Sequence, residues 1–308
     1  MSEAYRLGLV GLGKIARDQH LPAIAANGRF DLVAIASRNA QLDGVARHAT
    51  IDELIAAGHG ITAITLCTPP EGRYHQARAA LEAGLHVMLE KPPAATLSEI
   101  ADLARLAAEK QVTLFATWHS REAAGVASAK AWLRDRAIHA VRITWKEDIR
   151  RWHPGQEWIL AAGGFGVFDP GINALSIVTQ ILPQPLLLER AAMGVPEGRM
   201  SPLTASLAMR SGDAPVSAEF DFLQTGPQSW DIEIDTDAGL LRLAMGGSEL
   251  TLPGAAMQKA PDREYAGLYA RFAELIARGE SDVDVRPLQL VADAFLVAER
   301  QTLAPFEF

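Results

Sequence analysis

The first third of the chain alternates short β-branched runs with longer Ala/Leu-rich stretches of helical period. The spacing predicts strands over about 6–10, 31–37, 61–67, 86–90 and 112–117, and helices over about 15–26, 71–83, 97–110 and 121–135. After the second strand the helical signal is weak and falls at 41–48 or at 52–57. Runs such as AITLC carry no alternation, as expected of strands covered on both faces, so this region reads as βαβ units of a parallel, doubly wound sheet. Beyond about residue 137 the period drops to two. In VSAEFDF, Val216, Ala218, Phe220 and Phe222 share one face while Ser217, Glu219 and Asp221 share the other; Trp230, Ile232 and Ile234 repeat the pattern in SWDIEID. Half-buried alternation of this kind predicts antiparallel strands in an open sheet. One helix at about 170–182 precedes these strands, and two more, near 264–278 and 287–303, close the chain. The expected fold class is α/β: a doubly wound parallel sheet over residues 1–120, then an α+β domain with an open, mostly antiparallel sheet over 121–308, its last helix free to pack back on the first domain.

Composition narrows the function classes. At 308 residues the chain has the length of two typical domains of ~150, and with 49% apolar and 21% charged residues it is neither disordered nor collagen-like. The net charge of −8, with no basic stripe, argues against a nucleic-acid partner. No stretch approaches the ~18 apolar residues of a membrane span, and the start MSEAYRLGLVG lacks the features of a signal peptide. A single cysteine, Cys67, leaves no internal disulfide and no cysteine-rich metal site, which suits a reducing cytoplasm.

The first strand runs into Gly11-Leu12-Gly13-Lys14-Ile15-Ala16 and then a helix. In a G-x-G-x-x-A loop the first glycine permits the tight turn, the second lets a pyrophosphate approach the backbone, and the small alanine lets the helix pack against the strand. The helix start adds free N–H groups and partial positive charge. The loop, with Lys14 and Ile15, is therefore expected to bind a dinucleotide in a Rossmann domain. The second strand ends about 24 residues after Gly13, where such sites usually place a carboxylate on the ribose hydroxyls, yet this chain has Ser37 and Arg38. A hydroxyl followed by a guanidinium can hold a 2′-phosphate, so NADP is the expected cofactor, with NAD also accepted.

Strand 86–90 ends in Glu90-Lys91-Pro92-Pro93 at the carboxyl edge of the sheet, and GGFGVFDPGIN follows at 163–173. Together with the glycine loop, this ordered set resembles the glucose-fructose oxidoreductase/inositol dehydrogenase/rhizopine catabolism (Gfo/Idh/MocA) family of NAD(P)-dependent oxidoreductases over nearly the whole chain. Within it, GLGKIARDQHLPAI, LEKPPAATL, TWHSR, WKEDIRRWHPGQEWI and FDPGINALSIVT are similar to the aldose 1-dehydrogenases that act on L-arabinose and D-galactose. The resemblance implies a cis Lys91-Pro92 peptide aiming the lysine at the nicotinamide. It also implies a cofactor site completed by Cys67, Thr68, Pro69, Pro70, His75, Glu90, Lys91 and Trp118. One position departs from the broad pattern: Asn173 stands where many members carry histidine. An amide cannot be a general base, so proton transfer falls to Lys91, Asp169 or both.

Further residues are candidates for the sugar. Asp169 before Pro170 also fits an ordinary helix N-cap, but Asn173 one turn later shares its face. In VRITWKEDIRRW, Val141, Ile143, Trp145, Glu147 and Ile149 alternate onto one face, which leaves Glu147 as a carboxylate on an apolar face. Such a group needs partners, and sugar hydroxyls, an internal ion pair with arginine or a bulge turning it outward would each serve. Trp152 and His153 offer a flat apolar surface and an imidazole, with His153 equally at home in a surface loop. His119 ends the fifth strand, beside Trp118, which suits either the core or the cofactor site. No metal is expected, because His119, Glu147, His153 and Asp169 show no paired ligand spacing.

The resulting expectation is an NADP-preferring aldose 1-dehydrogenase: Lys91, supported by Asp169, handles the C1 hydroxyl proton of a pyranose lying between the domains while hydride leaves C1, and an aldonolactone is formed. Its rivals are a non-catalytic sugar or redox sensor that keeps the fold and binds NADP, and a relative acting on another cyclic polyol or an imine. An exposed face of the second sheet would suit a homodimer.

Overall fold

The computed structural model describes residues 4–308. The chain forms two compact units, one made of residues up to His119 with Tyr265–Val285, the other of Ser120–Glu264 with Arg286–Phe308. In chain order the elements begin with β1 (Tyr5–Val10), a π-turn (Ala16–His20) leading into α1 (Leu21–Ala26), β2 (Phe30–Ala36), β3 (Ala46–His48), α2 (Ile51–Ala56) and β4 (Ala63–Leu66). Next come α3 (Arg73–Glu82), β5 (His86–Leu89), α4 (Leu97–Lys110), β6 (Leu114–Ala116), α5 (Val126–Leu133), β7 (Ile138–Lys146), α6 (Ile149–Trp152) and α7 (Phe168–Ile181). The remainder is β8 (Leu186–Pro196), β9 (Thr204–Ser211), β10 (Ala214–Asp221), β11 (Ser229–Thr236), β12 (Gly239–Ala244), β13 (Glu249–Thr251), β14 (Gln258–Lys259), α8 (Glu264–Arg278), α9 (Arg286–Val297) and β15 (Glu299–Leu303).

The first unit holds a six-stranded sheet in the order β3-β2-β1-β4-β5-β6, parallel throughout. Strand order reverses between β1 and β4, and ligands of doubly wound sheets bind outside the strand ends at that reversal. Every residue of β4 and β6 is buried, which accounts for their unbroken apolar runs. The weak signal after β2 resolves as α2 at 51–56, not as a helix at 41–48. Gly44 has a φ of +74°, which ends any helix there, and Ala46–His48 pairs with β2 as an edge strand instead. The helix expected at 15–26 is interrupted: the Leu21 N–H reaches the Ala16 carbonyl, five residues back. Pro22 has no N–H and its ring crowds the carbonyl four residues earlier, so the backbone widens to pass it.

α8 completes this unit from far along the chain. Its Tyr265, Leu268, Tyr269 and Phe272 join Leu7, Leu9, Phe30, Ile35 and Phe115 in one core, with Phe272 stacked on Phe30 at 5.5 Å. Fully burying a side chain such as Phe272 stabilises by roughly 1.5–3 kcal/mol. It is thus α8, not the last helix, whose residues return to the first unit.

The second unit holds a nine-stranded sheet in the order β14-β13-β12-β11-β7-β10-β9-β8-β15. It is mostly antiparallel, with parallel pairs at β7–β10 and β8–β15. The alternation is realised: Val216, Ala218, Phe220 and Phe222 are buried while Ser217 and Glu219 are exposed. α7 lies against the buried face, with Phe168 edge-on to Phe220 at 5.7 Å. The helix expected over 287–303 stops at Val297, and Glu299–Leu303 runs parallel to β8. Sheet pairing overrides the helix propensity of Glu-Arg-Gln there. Likewise the helix expected over 121–135 is shorter, starting at Val126 after a tight turn at His119–Glu122.

Candidate active site

At the strand reversal of the first unit lies a cleft of about 760 Å³. The β1–α1 loop forms one wall. Gly11 has a φ of +90°, and a Cβ there would meet Thr68 Cγ2 at 2.8 Å, so only glycine fits. Gly13 faces open space, with nothing within 4 Å of where its Cβ would be, which leaves room for a phosphate to approach the backbone. Of the cofactor residues expected, Gly11, Gly13, Ser37, Arg38, Cys67, Thr68, Pro69 and His75 line this cleft. Lys14, Ile15, Pro70, Glu90, Lys91 and Trp118 do not. Lys14 is exposed and paired with Asp18, Ile15 is also exposed, and Pro70 is buried. Trp118 is buried, its indole N–H donating to the Asp284 carbonyl at 2.9 Å. A loop, a helix start and an arginine around one long cleft fit a dinucleotide.

Several lining residues escaped the sequence reading, among them Asn39, Thr50, Asp52 and Gln76. A signal for two of them was present. Thr50-Ile51-Asp52-Glu53 is a capping-box pattern, and the Thr50 hydroxyl does accept the Glu53 N–H at 3.2 Å, opening α2 beside the cleft.

After β5 the chain turns through Glu90 and Lys91, and the Lys91-Pro92 peptide is cis. The Glu90 carboxylate is buried and fully engaged. Oε1 accepts from the Tyr265 hydroxyl at 2.7 Å and lies 2.9 Å from His20 Nε2, while Oε2 accepts the Lys91 backbone N–H at 2.9 Å. His20 Nδ1 meets the Tyr269 hydroxyl at 2.8 Å. Arg73, also buried, donates to the Glu90, Pro92 and Thr68 carbonyls. Burial alone would push the Glu90 pKa up, but hydrogen bonding and charge from His20, the charge of His119 and the Tyr265 hydroxyl hold it far below the usual carboxylate range. For His20, burial would favour the neutral ring; polar contacts with Cys67, Tyr269 and Glu90 outweigh it and raise its pKa well above the ordinary value. Tyr269, by burial, is pushed up to about 12. His119 stacks on the Tyr265 ring at 5.6 Å.

The second unit gathers three of the expected residues. Glu147 follows β7 on the buried face, as the alternation requires, with Arg142 exposed on the opposite one. Its Oε2 accepts the Trp230 indole N–H at 2.8 Å. His153 Nε2 stands 3.6 Å from Glu147 Oε1 and 3.8 Å from Asp169 Oδ2, beyond good hydrogen-bond length to either. The His153 ring lies against Phe222 at 5.5 Å. Glu147 is therefore not turned outward by a bulge, and its neighbours are an indole and an imidazole, not an arginine.

Asp169 and Asn173 ride on α7. The helix begins at Phe168 with Val167 as its cap, so Asp169 lies inside the first turn and is not the N-cap. Gly166 makes this start possible: its φ is +53°, and a Cβ there would lie 2.2 Å from the Pro202 carbonyl oxygen. Asp169 is buried, Asn173 half-buried. Arg121 braces the helix by donating to the Ser176 carbonyl at 3.0 Å. Trp152 is exposed and edge-on to Trp230 at 5.6 Å. Neither Trp230 nor Phe222 was anticipated as a site neighbour. No short-range pattern marks them, because β11 and the end of β10 reach Glu147 only through sheet pairing.

Comparison with known proteins agrees with these features. Residues 5–117 match the family model described as "Oxidoreductase family, NAD-binding Rossmann fold". The chain is 46% identical over 302 residues to galactose 1-dehydrogenase of Pseudomonas fluorescens, covering 98% of each. The crystal structure of a D-galactose-1-dehydrogenase from Rhizobium etli superimposes with a TM-score of 0.96 at 51% identity, covering 100% of this chain and 99% of that one. A 3-ketoreductase from Actinomadura kijaniata, crystallised with NADP, shares the fold alone, at 17% identity and a TM-score of 0.83. The glycine loop, the Glu-Lys-Pro turn and the whole-length likeness lead to one conclusion: the chain belongs to the Gfo/Idh/MocA family of NAD(P)-dependent oxidoreductases.

Proposed function

We propose that this chain is an NADP-preferring aldose 1-dehydrogenase oxidising the C1 hydroxyl of D-galactose and L-arabinose to the aldonolactone. The observation that carries the reading is the likeness to two galactose 1-dehydrogenases at 46% and 51% identity over essentially the full chain. Both sugars share configuration from C1 to C4 and differ by a hydroxymethyl group at C5, so one pocket can serve both. A nicotinamide held in the cleft lined by Gly11, Gly13 and Arg38 would supply the acceptor for the hydride of C1. Lys91 or Asp169 takes the proton of the C1 hydroxyl as the C1–O bond becomes a carbonyl, and Asn173 orients the sugar. Glu147 accepts hydrogen bonds from sugar hydroxyls, His153 adds a further contact and Trp152 a flat apolar surface; His119 is assigned to the same pocket. The Arg38 guanidinium, on the rim of the cofactor cleft, favours a 2′-phosphate.

Steady-state assays of D-galactose and L-arabinose, each with NADP and with NAD, test the reading directly. Turnover of both sugars with a lower KM for NADP is expected; cofactor binding without turnover of any aldose would leave a sensor in its place. The outer face of the second sheet is assigned to pairing with a second copy, and a monomer in light scattering would remove that assignment. Activity in a cytoplasmic fraction is expected.

A further inference from the structure

His20 lies outside the roles assigned so far, yet both of its ring nitrogens are held by side chains. It is 1% exposed and bridges three elements: the π-turn that carries it, α8 through Tyr269, and the end of β5 through Glu90. The π-turn follows directly on the glycine loop of the cofactor cleft, and such turns inside helices recur at functional sites. Glu90, the group it meets, uses its second oxygen to hold the backbone N–H of Lys91. A short path of backbone and two hydrogen bonds therefore runs from the phosphate loop through His20 and the Glu90 carboxylate to the backbone of the proposed catalytic lysine. Tyr265, Tyr269, Cys67 and His119 are the other titratable groups facing this pair.

We infer that His20 is a positioning residue: by its bond to Glu90 it fixes the turn that presents Lys91, and it ties that turn to the helix that begins at the cofactor cleft. The inference rests on the assignment of Lys91 to the reaction. Glu90 cannot do this alone, because its backbone lies in the same turn; an anchor from a different element is required, and His20 and Tyr265 supply it. A misplacement of about 1 Å in a reacting group can cost on the order of 10²-fold in rate, so a loosened turn is expected to show in turnover before it shows in binding.

The test compares His20→Ala with His20→Gln, which keeps an N–H donor toward Glu90. His20→Ala is expected to lower kcat by about 30-fold, with the KM for galactose and the Kd for NADP within about threefold of normal, and His20→Gln to restore most of the loss. In hydrogen exchange, the Lys91 amide should lose protection in His20→Ala and keep it in His20→Gln. If His20→Ala fails to fold, Glu90→Gln against His20→Gln provides the same contrast. Normal kcat with normal Lys91 protection overturns the inference, as does a fall in kcat matched by an equal rise in the NADP Kd. If the native protein oxidises no aldose, the proposed function falls and the exchange measurement alone decides: unchanged Lys91 protection sinks the positioning role, and its loss supports it.

Discussion

In the first unit His20 meets Glu90 at 2.9 Å with 1% of its surface exposed, while in the second His153 keeps 19% of its side chain exposed and stands 3.6 and 3.8 Å from Glu147 and Asp169. The chemistry is the same and the settings differ. Around Glu90, protein donors fill both oxygens: two side chains on one and a backbone N–H on the other. Around His153, two carboxylates lie just outside hydrogen-bond length of a half-buried ring, a spacing that a hydroxylated ligand can bridge. A closed cluster spends its hydrogen bonds on geometry. Under the proposed function, the cluster around His153 instead meets sugar hydroxyls.

Conservative amide substitutions should separate the two. Glu90→Gln leaves a buried imidazole facing a neutral group, and breaking a buried pair from one side costs about 3 kcal/mol or more, read as a lower denaturation midpoint in urea. Glu147→Gln is expected to leave that midpoint nearly unchanged and to raise the KM for sugar about tenfold, roughly one charge-assisted hydrogen bond. If the two effects are exchanged, the roles assigned to the clusters are exchanged as well.

Next in size is the chemistry itself. Lys91→Ala and Asp169→Ala should each reduce turnover by at least about 10²-fold, the range of a positioned acid or base, while NADP still binds in a fluorescence titration. Near-normal turnover in Lys91→Ala would remove the mechanism and favour a cofactor-binding sensor.

How much of this was legible in the chain depended on range. The sheet and the glycine loop follow from local rules: period, turn chemistry and a strand-loop-helix context, all within about 30 residues. The side of β7 on which Glu147 falls came from alternation alone. What stayed hidden was carried by distant partners. His20 and Tyr269 are 249 positions apart, and nothing near either one announces the other. The strand at Glu299–Leu303 reads locally as helix because its pairing with β8 is a tertiary event. Trp230, which holds Glu147, was visible only as an apolar position in an alternating strand.

Cofactor choice gives an effect of about one order of magnitude and belongs to neither cluster, which makes it a control on both. Arg38→Ala should raise the KM for NADP about tenfold and leave NAD nearly unaffected, as loss of one charge-assisted contact implies. Asp52, an acidic residue lining the cleft, should act in the opposite sense: Asp52→Asn is expected to lower the KM for NADP and to widen the preference for it over NAD. Equal losses for both cofactors in Arg38→Ala would place the arginine in support of the loop, whose Ser37 and Arg38 carbonyls Arg47 already binds.

The smallest expected effect is on stability as a function of pH, and its sign distinguishes the closed cluster. His20 has a pKa raised above its ordinary value of 6.5, so its contribution is complete below about pH 6.5 and fades as pH rises through the higher folded-state value. Glu90 has a pKa lowered from its ordinary 4.5, so its contribution is complete above that value and fades as pH falls toward the folded-state one. The pair is therefore worth most between about pH 4.5 and 6.5. Melting curves of the native protein and of His20→Gln should diverge most in that window and draw together on either side, by about 2–4 °C for each kcal/mol in units of this size. A gap for His20→Gln that instead widens steadily toward alkaline pH would mean that the ring is neutral in the folded protein and that its tie to Glu90 is an ordinary hydrogen bond.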